Sequence, residues 1–176
     1  AFQTTFGGGS GNNPSDVVIT KYPANGTSRL YSTHIGGSSN ELLSSLYATS
    51  SNDLICLITT SSSNFPTSAN GYDQTFNGGS STSTLGSSVS FPNGSDIAVV
   101  KLNAAGNALV GSTFFGGSGQ DGLNLNSSLQ FNYGDDTRGD IAVDISGNIY
   151  IASTTTSSNI PGTAGKAQAV LAGSSD

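Results

Sequence analysis

The chain has no Trp and no Met, and it carries a single Cys, a single His and a single Glu. Each scarcity removes a class of chemistry. With Glu41 alone, glycoside hydrolysis by paired glutamates is excluded, although two Asp could take those roles. His34 and Cys56 do not cluster, which argues against a zinc centre or a catalytic thiol. Cys56 has no intrachain partner, so no internal disulfide is expected, and within "DLICLITT" it reads as a small buried hydrophobe on a strand. Positive charge is also scarce: 5 Lys and Arg stand against 11 Asp and Glu, a net charge of −6, with no basic cluster. Nucleic acid and anionic membrane need such clusters and are not expected as partners. No apolar run approaches the roughly 18 residues of a membrane span, so no membrane insertion is expected.

What is present is Gly, Ser, Thr and Asn, with 24 Gly among 176 residues and only 9% charged residues. That composition disfavours helices and favours turns, and it indicates an all-β fold. The length suits one domain or one piece of a larger one. The chain also repeats itself. "SDVVITKYPANGTSRLYSTHIGG" at 15–37 recurs as "SDIAVVKLNAAGNALVGSTFFGG" at 95–117, a shift of 80. "LYATSSNDLICLITTSSSNFP" at 46–66 recurs as "IAVDISGNIYIASTTTSSNIP" at 141–161, a shift of 95, with an insertion at 121–139 accounting for the difference. A looser echo links "FQTTFGGG" at 2–9, "YDQTFNGG" at 72–79 and "AQAVLAG" at 167–173.

Each unit reads as a β-hairpin. Strand-length runs of β-branched and apolar residues flank "PANGT", "NAAGN" and "DISGN", which place Gly where a tight turn needs positive φ. Several runs are apolar at consecutive positions, which predicts strands covered on both faces. "NELLSSLYA" could form a short helix, but its alignment with "RGDIAVDIS" assigns it to a strand. Repeated four-stranded sheets with both faces covered are the requirement of a β-propeller. The turns and the "FFGGSGQD" and "IAVDISGNIYIAS" stretches resemble the bacterial β-propeller repeat family SBBP. The first copy, "ATSSNDLICLITT", departs from that pattern by lacking the Asp and Gly of the turn.

The resemblance implies blades of four antiparallel strands, in which hairpins like 141–153 supply the inner strands and hairpins like 96–115 the outer ones. In that phase residues 16–36 form an outer half-blade, 42–116 one full blade and 140–155 an inner half-blade, with Asp176 aligned to Asp16 and Asp96. The partners this predicts are neighbouring blades, of the same polypeptide or of other copies joined head to tail into an extracellular filament or ring. Such repeats serve as scaffolds or adhesive surfaces in large exported bacterial proteins. A non-catalytic module, secreted or at the cell surface, is therefore expected.

Two local features could bind something. "GGSGQDGLN" at 116–124 matches a calcium-binding nonapeptide once, and "YGDDTRGD" adds further carboxylates. Asp121, Asp135, Asp136 and Asp140 are thus candidate calcium ligands, with a glycine-rich connection and a solvated acidic loop as the plainer readings. No other cofactor is expected. Phe131 and Tyr133, beside Asp135 and Asp136, are candidate contacts for a surface glycan, since aromatic faces with adjacent polar groups suit sugars. His34 occupies the position of Phe114 in the other copy and reads as an ordinary strand residue.

Overall fold

A computed structural model describes residues 1–9, 11, 13–162, 165, 167–168 and 171–174. Asp176 and part of the 167–173 echo lie outside the described residues, as does the side chain of Tyr133. The fold is all-β and antiparallel. Its centre is a four-stranded sheet of β3 (Glu41–Ala48), β4 (Leu54–Thr60), β7 (Asp96–Leu102) and β8 (Leu109–Phe115), hydrogen-bonded in that order. Two hairpins flank it, β1 (Val17–Lys21) with β2 (Tyr31–Ile35) and β9 (Gly139–Val143) with β10 (Ile149–Ser153). A small pair that the sequence pattern did not announce, β5 (Thr82–Ser83) with β6 (Ser90–Phe91), sits in the long β4–β7 connection.

The layers follow from side-chain alternation along the central strands. All seven residues of β4 are buried. Leu54, Cys56 and Ile58, with Ala98, Val100 and Leu102 of β7, pack in one cluster with Val17, Ile19 and Ile35 of the first hairpin. Ile55 and Leu57, with Ile97, face the other way into a cluster with Ile141, joined by Val143 and Ile151 of the last hairpin. Consecutive apolar residues in "LICLI" thus serve two different interfaces, which is why this strand does not alternate with polar residues. Phe114 closes the first cluster between Phe65 and Phe76, with ring centroids 6.1 and 5.9 Å away.

The turns explain how the hairpins form. Gly26, Gly106 and Gly147 have φ of 66°, 64° and 84°. In the β3–β4 turn, which has no Gly, Asn52 takes the same left-handed backbone at φ 65°. Asn tolerates this region better than other side chains, so the turn persists although its Gly and Asp are gone. The looser echo also has a structural meaning. Gln3 and Asp73 lie along the outer edges of β2 and β8, where their N–H groups donate to Thr33 and Thr113 hydroxyls at 2.9 and 2.8 Å. Their carbonyls accept from His34 and Phe114 N–H at 3.0 and 2.9 Å.

Candidate functional site

The most constructed polar feature of the molecule is a pair of equivalent braces, one at each passage from one sheet layer to the next. In the first, Gly36 and Gly37 follow β2 and lead to Glu41 at the start of β3. Glu41 is 1% exposed. It accepts from Gly37 N–H at 3.2 Å and from the Thr60 hydroxyl at 2.6 Å. Ser62 Oγ accepts from Ser39 N–H at 2.8 Å, and Asn64 Oδ1 accepts from Ser38 N–H at 2.9 Å. In the second, Asp121 is fully buried and accepts from Gly117 N–H at 2.8 Å, Thr155 at 2.5 Å and Ser157 at 2.9 Å. Ser157 Oγ accepts from Gly119 N–H and Asn159 Oδ1 from Ser118 N–H. Glu41 and Asp121 are 80 apart, and the Thr, Ser and Asn partners 95 apart, as the repeat dictates.

Each brace contains a second carboxylate from the preceding strand. Asp16 accepts from Gly7 N–H at 2.6 Å, and Asp96 from Asn77 and Gly78 N–H at 2.6 and 3.1 Å. The two acids of each pair crowd the first Gly of the connection. A Cβ on Gly36 would lie 2.6 Å from both Asp16 and Glu41 carboxylate atoms, and one on Gly116 would lie 2.5 Å from Asp96. Gly is required here by close approach, not by φ. Burial, with a contribution from neighbouring Asp16, pushes the Glu41 carboxyl up to about 7 despite its hydrogen bonds. Burial likewise raises Asp96 to about 7, helped by the charges of Asp121 and Asp73. Asp16 Oδ1 is buried without a hydrogen-bond partner.

The four candidate calcium ligands do not converge. Asp121 is engaged in the second brace. Asp136 is buried and accepts from Gly86 and Ser87 N–H at 2.7 Å, from the Ser87 hydroxyl and from Gln130. Although burial opposes its ionisation, these donors outweigh that effect and hold its carboxyl below the usual range. Asp135 accepts from Phe131 N–H at 2.9 Å and Asn132 N–H at 3.3 Å. Asp140, on β9, accepts from Ser45 of β3 and from Ile141 N–H at 2.8 Å each, and these bonds lower its carboxyl. Among the described residues no group of three or more His, Cys, Asp or Glu could hold a metal ion. Phe131 is 86% exposed, and Tyr133 lies in the 3-10 turn Tyr133–Asp135. His34 stands on β2 with its Nδ1 buried and unpartnered. Cys56 is buried, and burial pushes its thiol up to about 12, so it is inert at neutral pH.

Residue-by-residue reading missed the braces. Compared directly, "GGSGQD" and "GGSSNE" share only Gly and Ser, yet their acids do the same work in the structure. The signal that identifies them is joint recurrence: acid at a shift of 80 together with Thr, Ser and Asn at 95.

No curated protein matches the chain, and no solved structure does. Residues 131–161, which hold β9, β10 and the Thr155, Ser157 and Asn159 side of the second brace, match the model of the β-propeller repeat family SBBP.

Proposed function

We propose that the chain is a non-catalytic β-propeller repeat module, structural or adhesive, of a large secreted or cell-surface protein. The four-stranded sheet is a complete blade, β1–β2 the outer half of the blade before it and β9–β10 the inner half of the blade after it. The observation that carries this reading is the use made of buried polar groups. Glu41, Asp96, Asp121 and Asp136 spend their oxygens on backbone N–H groups and hydroxyls that tie segments together. A catalytic acid or base must instead face a substrate.

A second reading, glycan binding by the 121–139 insertion, is favoured by Phe131, an exposed aromatic ring on a loop whose backbone is fixed by Asp135. One experiment separates the two. The purified chain and its Phe131→Ala/Tyr133→Ala variant are passed over immobilised glycans and bacterial surface polysaccharide. Equal retention of the two supports the structural reading. Saturable binding that the double substitution abolishes replaces it with the ligand-binding one.

A further inference from the structure

The passage from β2 to β3 brings two acids to one glycine, and we infer that Asp16 and Glu41 hold a single proton between them as a latch between the first hairpin and the central sheet, closed while the proton is present and released when it leaves.

A Cβ on Gly36 would lie 2.6 Å from Asp16 Oδ1 and 2.6 Å from Glu41 Oε2, so the two oxygens stand no further apart than twice that distance. Asp16 Oδ1 is buried and has no donor, while its Oδ2 accepts from Gly7 N–H at 2.6 Å. Glu41 divides its oxygens in a complementary way. Oε1 accepts from the Thr60 hydroxyl at 2.6 Å, and Oε2, on the Gly36 side, accepts from Gly37 N–H at a longer 3.2 Å. A proton on Oε2 supplies the donor that Asp16 Oδ1 lacks, and it removes the repulsion of two negative charges in a space closed to water. Burial first, and the charge of Asp16 after it, push the Glu41 carboxyl up to about 7, so the proton is held to neutral pH. Charged groups on the neighbouring elements are few. Lys21 stands at the far end of β1, His34 of β2 lies opposite Val18, and Asp96 of β7 lies opposite Thr60. Among the described residues the ion pair is Lys101 with Asp53, so no Lys or Arg neutralises the two acids.

The pair sits where the two layers are tied, which makes it a latch and not only a buried acid. Ser15 N–H donates to Asn40 Oδ1 and the Ser15 hydroxyl to the Glu41 carbonyl, both at 3.1 Å, and Glu41 N–H donates to the Ser15 carbonyl at 2.9 Å. Asp16 is therefore fixed between these bonds and β1, and it cannot retreat from Glu41 while they stand. When the proton leaves, the second charge is relieved only by admitting water, and that requires the start of β1 to part from the start of β3. The second brace shows what the first one lacks. Asp96 Oδ1 and Asp121 Oδ2 meet Gly116 in the same manner, 2.5 and 2.9 Å from its added Cβ, but there Oδ1 already has Gly78 N–H as a donor at 3.1 Å. Only the first pair is left one donor short, and a shared proton is what completes it.

The test uses the full chain. Glu41 is its only Glu, so glutamate labelled with carbon-13 at Cδ and introduced by cell-free synthesis gives one titrating carboxyl signal by NMR. That signal is expected to move with a midpoint at about 7. In Asp16→Asn the midpoint falls by about one pH unit or more, since the like charge is gone, and in His34→Gln it stays in place. Hydrogen exchange, corrected for the intrinsic rate, reads the latch itself. Protection of β1 and β2 is expected to fall about tenfold between pH 6 and pH 8. In Glu41→Gln it stays constant, because the amide donates to Asp16 without titrating. A Glu41 midpoint in the ordinary carboxylate range overturns the shared proton, and this needs no variant. A midpoint that Asp16→Asn leaves in place, or that follows His34, overturns it too. Equal loss of β1–β2 protection in the unmodified chain and in Glu41→Gln overturns the latch.

Discussion

Glu41 and Asp96 are carboxylic acids placed where ionisation is costly, and both are raised to about 7. The folded chain therefore binds their protons more tightly than the unfolded chain does. Their contribution to stability is complete below the ordinary carboxylate range and is lost as the pH rises through about 7. For Glu41 the loss is on the order of 2–3 kcal/mol. Asp136 has the opposite sign: its lowered carboxyl stabilises above the ordinary range and fails as the pH falls through it. Urea denaturation is thus expected to give a higher midpoint at pH 5 than at pH 8. Glu41→Gln keeps an acceptor for Thr60 while removing the titration, and flattens that slope; a midpoint that climbs from pH 5 to 8 contradicts the assignment. Asp121→Ala is a different case, since it leaves the buried Gly117 N–H and Ser157 hydroxyl, and the half-buried Thr155 hydroxyl, without their acceptor. It is expected to cost about 2–4 kcal/mol in the same assay. Asp121→Asn, which keeps an acceptor oxygen, costs less.

Among the elements, the 121–139 insertion is tied to the β5–β6 connection through Asp136. This residue clamps the Gly86–Ser87 turn between β5 and β6. Behind that clamp Val89, Phe91 and Leu123 form a small separate core with Leu42 and Leu125. Asp136→Ala should raise amide exchange at Gly86 and Ser87 and in 121–138 while leaving β4 unchanged; equal acceleration in β4 would mean the insertion supports the whole fold. The hairpins were legible in the sequence because their turns carry Gly at fixed places and their strands recur at constant shifts. The strand at 41–48 was legible only through its repeat partner, since "NELLSSLYA" by itself has no decisive period. The β5–β6 pair was not legible: strands of two residues are too short to show a pattern. Nor were the braces, whose hydrogen-bonded partners lie up to 41 residues apart and are ordinary Thr, Ser and Asn until the fold brings them together. The candidate calcium ligands come from a nonapeptide match and an acidic run, and neither pattern shows that each carboxylate accepts from donors of its own in the fold.

Among the described residues the central sheet lies between two hairpins, one packed on each face. The first hairpin and the last share no cluster: one packs on the Cys56 side of the central sheet and the other on the Ile55 side. In such quasi-linear arrangements stability is close to a sum of layer terms and neighbour interfaces, so damage stays near its origin. Val17→Ala and Ile141→Ala probe this directly, because each trims a buried side chain from one interface only. Each is expected to lower stability by about 1–3 kcal/mol. Val17→Ala should speed exchange in β1 and β2 without changing β9 and β10, and Ile141→Ala should do the reverse. β4 and β7, covered on both faces and central in their sheet, should exchange slowest in both variants. If either substitution loosens both hairpins equally, the three layers melt as one unit through β4. The central sheet would then act as a transmitter between its two faces, and an event at one end of the module would be felt at the other.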